Sequence, residues 1–453
     1  MLINYSFKNF KSYADKTTID FKVSKIKQYL ETNSFEVPAS LCEKNLLKSL
    51  LIIGTNASGK TNSIRALQYM RHLILHSVHA SKDNENIFEK PEKFLLDESY
   101  KNVPLEFSIS FITQSPNPTQ YDYYFSFFNE KIIKEVLYKR NFKQSNRKSS
   151  TICLIDRTNN TFDKISLEFN NLQNIFEITD STLLLSYCNE NIKEDICKDG
   201  KDIINWFKHI YFAGTDNNSL DIYDDHPEYL KIATSLLQLN DPVLQDICFE
   251  KRKLDIGICD YKNPQAVLKA LNETNSNITG GGLRLSDDGL FSFDIKTKYM
   301  RISNNGNQST TDWSIFDDKS SVSNGTKKLI IYLAPIIKVL KEGGIILVDE
   351  VDTALHYNYS KLIIDLFNNN EINKNKGQAI FTSHNIKLLD ERLRNDQIIL
   401  TNKNKYGKSS LVKLNENDKN IKPNNSKSDR YLKGLYSSSN FNFNTEIIEK
   451  MFR

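Results

Sequence analysis

Residues 54–61 constrain the fold of this chain more than any other sequence feature. They read Gly-Thr-Asn-Ala-Ser-Gly-Lys-Thr, which satisfies the pattern G-x-x-x-x-G-K-[ST] in full. The short apolar run 48–53 comes directly before them, and apolar residues at helical spacing follow from Ile64 to Ile74. A buried strand, a glycine-rich turn and a helix in this order predict an open α/β sheet with a phosphate-binding loop.

Each residue type of this loop has a predicted role. Glycines let the backbone wrap around an anion, while successive N–H groups and the helix N-terminus face its oxygens. Lys60 is predicted to reach the β- and γ-phosphates of a nucleotide, and Thr61 to supply a hydroxyl to Mg²⁺. The predicted nucleotide-binding residues of the loop are Gly54, Asn56, Ala57, Ser58, Gly59, Lys60 and Thr61.

Two carboxylates end a second apolar run, because residues 345–350 read Ile-Ile-Leu-Val-Asp-Glu. A buried strand would deliver both acids to its carboxyl edge, where ligands bind in open α/β sheets. Asp349 is predicted to hold Mg²⁺ together with Thr61, and Glu350 to act as the general base that activates water. The pattern is common by itself and becomes specific only in combination with the phosphate loop.

His384 ends a third apolar segment, 378–382, and lies 34 residues after Glu350. One helix and one strand separate the two residues, so a right-handed crossover would place both at the same sheet edge. We therefore predict that His384 is a catalytic residue that senses the γ-phosphate. The alternative is a histidine with a structural role.

Ser323 precedes the predicted helix 325–340, which begins at Gly325 and leads into the Asp349 strand. Ser323 is placed to cap this helix, and Gly325 would leave its first amides accessible to an anion. Both residues are therefore candidates for nucleotide contact. The alternative is an ordinary N-cap without a ligand.

The order of these motifs resembles that of ABC-type ATPases of the SMC/RecF/OLD group. Residues 8–13 (Lys-Asn-Phe-Lys-Ser-Tyr) resemble the opening segment of that group, and residues 352–356 resemble its D-loop. The tail 428–436 resembles the "RYLxGxYG" ending of one subgroup, the abortive-infection ATPases of the AbiL/RloA type. The chain departs from transporter ATPases at Asn324, where they carry glycine, and Gln114 is the candidate for the Q-loop glutamine.

The resemblance implies an α/β fold with an ABC-type ATPase head, in which a mixed sheet with the P-loop core is joined by an antiparallel β subdomain and a helical insertion. It also implies ATP and Mg²⁺ as ligands and a homodimer or higher homo-oligomer. In that arrangement Ser323 and Gly325 of one subunit complete the site of the other. The predicted domains are an N-terminal ATPase lobe (1–179), a mainly helical insertion (180–275), a C-terminal ATPase lobe (276–400) and a basic tail (401–453).

The function implied by the resemblance is ATP hydrolysis by a sensor or regulator in bacterial anti-phage defence. A separate co-encoded effector would be its partner, and a nucleic acid or a phage protein its trigger. One alternative is a RecF-like DNA-repair ATPase. Another is an OLD-type nuclease, which needs a further metal domain with an Asp-x-Asp pair. Only 69 residues follow His384, and they contain no such pair.

Charge and cysteine content add smaller constraints. The net charge is only +4, but residues 401–453 hold eleven Lys/Arg against five Asp/Glu. This tail and the basic cluster at 139–148 are either solvated surface or contacts for phosphate backbones. The six scattered cysteines indicate reduced thiols rather than a zinc site or disulfide framework. The N-terminus has no signal-like apolar core, and no apolar run is of membrane-spanning length, so we expect a cytoplasmic protein without membrane contact.

Overall fold

A computed structural model of the chain describes residues 1–37, 42, 45–82, 93–113, 118–141, 150–190, 193, 196–213, 220–239, 241–253, 283–286, 289–317, 321–418 and 426–436. The chain divides into two compact units. The first unit comprises Met1–Tyr211, Gly343–Asp352 and Ser360–Arg453, and the second comprises Phe212–Glu342 and Thr353–Tyr359.

The described residues contain runs of consecutive strands as well as strands separated by helices. The strands are β1 (Leu2–Lys8), β2 (Thr17–Asp20), β3 (Ser34–Phe35), β4 (Leu46–Leu47), β5 (Ser49–Gly54), β6 (Leu105–Thr113), β7 (Thr119–Phe128), β8 (Lys131–Asn141), β9 (Ser150–Thr158), β10 (Thr161–Ile165), β11 (Ile210–Ala213), β12 (Leu244–Lys253), β13 (Leu283–Ser286), β14 (Gly289–Ile302), β15 (Gln308–Ser314), β16 (Ile345–Val348), β17 (Gln378–Ser383), β18 (Ile398–Lys403) and β19 (Ser409–Lys413). The α-helices are α1 (Leu30–Asn33), α2 (Lys60–Lys82), α3 (Leu167–Gln173), α4 (Lys198–Lys208), α5 (Asp221–Asp225), α6 (Pro227–Gln238), α7 (Asn324–Glu342), α8 (Tyr357–Asn368), α9 (Leu414–Asn417) and α10 (Lys427–Leu432). Short 3₁₀ helices cover Glu98–Tyr100, Leu184–Asn189 and Ile386–Asp390.

A largely parallel sheet has the strand order β11-β16-β17-β5-β18-β19. Strands β16, β17, β5 and β18 run parallel, and β19 pairs antiparallel with β18. Every residue of β5, β16 and β17 is buried. Strands that are covered on both faces require continuous apolar sequences, which is why these segments show no alternation. The three buried strands predicted near residues 48–53, 345–348 and 378–382 are confirmed.

A seven-stranded antiparallel sheet has the order β10-β9-β8-β7-β6-β1-β2. Strand β6 alternates buried and less buried residues, with Phe107, Ile109 and Phe111 on its buried face. This alternation is typical of an antiparallel sheet with one covered face. The β1–β2 pair confirms the hairpin predicted for the N-terminus, and β6–β10 confirm the antiparallel strands predicted after residue 105.

The second unit contains a four-stranded sheet in which β14 pairs with β12, β13 and β15. Helices α5, α6 and α7 lie in the same unit, and the buried Tyr223 hydroxyl of α5 donates to Ile330 O of α7 at 2.7 Å. Tyr229 of α6 donates to the Glu342 carboxylate at 2.8 Å. Helix α7 contains Pro335, as the sequence predicts. Among the described residues, no helix is both long enough and apolar enough to cross a membrane.

Candidate nucleotide-binding site

The phosphate loop leaves the sheet at the carboxyl end of β5 and ends where α2 begins at Lys60. Its backbone depends on glycine at two positions. Gly59 has a φ of +115°, in the region that side chains rarely adopt, and a Cβ on Gly54 would lie 2.7 Å from Thr401 O. Ala57 also has a positive φ of 59°. The loop therefore follows a path that few other sequences could adopt.

Lys60 lies at the centre of the site and is only 4% exposed. Its ammonium donates to Gly54 O at 2.8 Å and Thr55 O at 2.9 Å. Its Nζ also lies 3.1 Å from Nδ1 of His384. Burial lowers the pKa of Lys60 to about 8, and three nearby acids, one of them Glu350, oppose this shift. The lysine is thus a desolvated cation held by loop carbonyls.

Asp349 follows β16 directly and accepts two hydroxyl hydrogen bonds on the same oxygen. Thr61 donates to Asp349 Oδ1 at 3.3 Å, and Thr382 of β17 donates to it at 2.5 Å. The Thr382 hydroxyl in turn accepts from the backbone N–H of Glu350 at 2.8 Å. Thr382 therefore fixes both acidic residues relative to the neighbouring strand.

Glu350 has a φ of 50°, which is uncommon for a residue other than glycine. This backbone conformation turns the chain sharply after β16, and the Glu350 carboxylate lies 3.6 Å from Nε2 of His384. The backbone N–H of His384 donates to the carboxylate of Asp352 at 3.2 Å. His384 therefore lies between Lys60 and Glu350, with its backbone held by Asp352.

The donor set of Thr61 and Asp349 fits a magnesium ion. Both residues present oxygen atoms, which hard divalent cations prefer, and they already lie within hydrogen-bond distance of each other. Mg²⁺ commonly takes one or two protein oxygens and completes its shell with phosphates and water. This pair would therefore hold Mg²⁺ beside a bound nucleotide.

The remaining predicted site residues have different placements. Asn56 and Ala57 are exposed on the phosphate loop, and Ser58 is buried. Ser323 and Gly325 belong to the second unit, where Ser323 Oγ accepts from Thr326 N at 3.1 Å. The N-cap predicted at Ser323 is confirmed. Gln114 lies outside the described residues.

A Cβ added to Gly325 would lie 2.6 Å from the carbonyl oxygen of Ala354, which belongs to the same unit. The glycine is therefore required by a close backbone approach. A nucleotide contact by Ser323 or Gly325 stays a prediction.

Two positioning residues were assigned no role from the sequence. Thr382 lies in an apolar strand and gives no motif signal. The parallel register, in which Val348 lies beside Phe381, could have placed it next to Asp349. Asp352 belongs to the D-loop resemblance, but its contact with the His384 backbone depends on the sheet. Both roles therefore become visible only when neighbouring strands are aligned.

The parallel sheet, the phosphate loop and the paired acids define a P-loop ATPase of the AAA/ABC-like group. The family described as "AAA domain, putative AbiEii toxin, Type IV TA system" matches residues 49–390, which is more than half of the chain. The chain belongs to this family. A search of curated proteins finds no match to the chain.

Proposed function

We propose that this chain hydrolyses ATP with Mg²⁺ at a site shared between two copies, and that it regulates a separate effector in anti-phage defence. One observation carries the catalytic half of the proposal. Lys60, Thr61, Asp349, Glu350 and His384 come from three adjacent strand ends and lie within a short chain of contacts. Phosphoryl transfer needs mainly positioning and charge stabilisation, which such a cluster can supply.

The residues have distinct proposed roles. Lys60 would exchange its contacts with loop carbonyls for contacts with the β- and γ-phosphates, and its cation would offset their charge. Glu350 would accept a proton from the attacking water, and His384 would orient the reacting groups between Lys60 and Glu350. Thr61 and Asp349 would hold Mg²⁺, which polarises phosphoryl oxygens when it is bound.

The regulatory half rests on the family and on the tail resemblance to AbiL/RloA-type ATPases. The family description names a toxin of a type IV toxin–antitoxin system, which favours a co-encoded partner. An ATP-dependent conformational change acts through a second component only if that component binds the two states differently. Residues 180–275 and the basic tail 401–453 stay the predicted contact regions.

ATP binding is tested by the substitution Lys60→Ala. Because the buried cation is lost from the loop, we expect no measurable ATP binding by calorimetry, while circular dichroism stays unchanged. Arg65→Ala is the matched control, since Arg65 is exposed one turn further along the same helix. Undiminished affinity of Lys60→Ala for ATP would remove the proposed site.

The regulatory half is tested by purifying the chain together with the product of the neighbouring gene. We expect a stable complex whose composition or stability differs between the wild type and Lys60→Ala. Binding of the chain alone to DNA ends or gaps, with no interaction with the neighbouring product, would favour the RecF-like alternative.

A further inference from the structure

Two segments that lie outside the family match contact the phosphate loop. Ser409, the first residue of β19, donates its hydroxyl to Ser58 O at 2.7 Å. Tyr13, from the turn after β1, donates its hydroxyl to Gly59 O at 3.2 Å. The two segments are themselves joined, because Ser409 N donates to Ser12 O at 2.8 Å. We call Ser12, Tyr13 and Ser409 the loop-support cluster.

The packing between this cluster and the loop is close. A Cβ added to Gly59 would lie 2.6 Å from Ser409 Oγ and 3.0 Å from Ser12 Oγ, so both hydroxyls approach the loop backbone. Asn62 at the start of α2 adds a further contact by donating to Ser12 Oγ at 2.9 Å. The cluster therefore contacts the loop and the helix that follows it.

Ser409 is the buried polar group of the cluster that reaches the Ser58 carbonyl. It is 7% exposed, whereas the hydroxyl of Ser58 itself has no hydrogen-bond partner among the described residues. Removal of the Ser409 hydroxyl would leave a buried carbonyl without this donor, which is unfavourable. A loop that keeps its conformation would then carry a buried carbonyl without this hydrogen bond.

The strand that carries Ser409 is anchored to the same sheet as the loop. Strand β18 pairs in parallel with β5, with Thr401 beside Gly54, and β19 pairs with β18. A side chain on this hairpin therefore has a fixed position relative to the end of β5. A support built on strands can hold a backbone conformation more accurately than a support built on loops.

We propose that Ser409 is a positioning residue for nucleotide binding, and that it holds the loop in its phosphate-binding conformation before ATP arrives. The proposal rests on the proposed function, because it deepens the account of the same site. A loop that is already ordered loses less freedom on binding, so its support raises the affinity for ATP. If the support is lost, the apparent Kd rises as the fraction of competent loops falls.

The test compares Ser409→Ala with Ser410→Ala in the full chain. Ser410 is the next residue of β19 and its side chain is exposed, so it is a matched control. The first measurement is amide hydrogen exchange of residues 54–61 in the nucleotide-free protein. We expect faster exchange in Ser409→Ala than in the wild type, and no change in Ser410→Ala.

The second measurement is the Kd for Mg·ATP by calorimetry. Because Ser409→Ala removes one buried hydrogen bond, we expect the Kd to increase roughly three- to tenfold. A merely structural serine would lower the melting temperature and leave this Kd unchanged. Loop exchange and Kd identical to those of Ser410→Ala would overturn the proposal. If the wild type binds no ATP, the proposed function fails, and loop exchange alone still decides the role of Ser409.

Discussion

Lys60 illustrates how a single residue connects burial to ligand binding. Its ammonium is desolvated, and it is held by two carbonyl oxygens and by His384 rather than by a direct ion pair. Its pKa of about 8 means that the free protein carries a substantial neutral fraction in mildly alkaline solution. Anionic phosphates favour the charged form, so a bound nucleotide raises the pKa of this lysine.

The affinity for ATP should therefore depend on pH with a definite sign. As pH rises past about 8, the free protein should lose most of the Lys60 proton while the complex retains it, so binding should take up a proton. Affinity should fall as pH rises through about 8, with uptake of about one proton per ATP near pH 9. Calorimetry in buffers of different ionisation enthalpy measures this uptake directly.

The groups that face Lys60 are Asp349, Glu350, Asp352 and His384. Binding that stays equally tight from pH 7 to pH 9.5, without proton uptake, would contradict the predicted state of Lys60.

At the scale of single residues, site residues that belong to a spacing motif could be predicted from the sequence. Positioning residues that act through a neighbouring strand could not. Lys60, Thr61 and Asp349 could be predicted because chain order places them at strand ends. Thr382 and Ser409 carry no such signal, since their contacts depend on the register of strands that are far apart in sequence.

At the scale of elements, a buried ion pair within the seven-stranded sheet forms hydrogen bonds to a segment that follows the sheet in sequence. Arg157 of β9 and Glu135 of β8 are both fully buried. Arg157 donates to the carbonyl oxygens of Thr182 at 2.9 Å and Thr179 at 2.6 Å. Glu135 accepts from Leu184 N at 3.0 Å. Both charged groups therefore form hydrogen bonds with the same segment, and these bonds connect that segment to the sheet.

Substitution of Arg157 by leucine should destabilise the first unit strongly. It leaves Glu135 buried without its ionic partner, which typically costs about 3–5 kcal/mol. The free energy of unfolding can be followed by fluorescence in urea in a Trp313→Phe background. Of the two tryptophans only Trp206 then remains, and it stacks on Phe111 of the sheet at 4.0 Å.

The matched control for this substitution is Lys131→Ala in strand β8. Lys131 also pairs with an acid, Asp180, but its side chain is 67% exposed, so the loss should stay within about 1 kcal/mol. Equal losses of unfolding free energy in the two variants would show that burial of the Arg157–Glu135 pair does not increase its contribution to stability.

Elements with a clear local sequence pattern were predictable, and elements whose extent depends on distant strand pairing were not. The apolar runs of β5, β16 and β17 identify parallel strands because burial on both faces removes alternation. The sequence indicated only short strands after residue 282, whereas β14 extends from Gly289 to Ile302. Its length follows from pairing with three other strands, which no local pattern encodes.

At the scale of the whole molecule, the predicted site residues fall into two groups. The phosphate loop, both acids and His384 belong to the first unit, and Ser323 and Gly325 belong to the second. The proposed dimer gives this division a function, because the second group of one subunit would complete the site of the other. The sequence could not test this, since one chain does not report its own assembly.

Mixed variants test the shared site. Lys60→Ala and Ser323→Arg should each be inactive alone, while a heterodimer of the two would contain one intact site. We expect ATPase activity to return on mixing, up to about half of the wild-type value per heterodimer if its sites act independently. Two affinity tags allow the heterodimer to be isolated. An isolated heterodimer as inactive as either parent would contradict sites shared between subunits.

The most direct test of the central claim is ATP hydrolysis by Glu350→Gln, with ATP binding measured on the same preparation. Glutamine keeps the shape of the side chain but cannot accept the proton from water. The account predicts that ATP still binds and that the hydrolysis rate falls by roughly 10²-fold or more, as is typical for the loss of a general base. The exposed Glu371→Gln should hydrolyse ATP at the wild-type rate. Hydrolysis by Glu350→Gln at the wild-type rate would contradict the account.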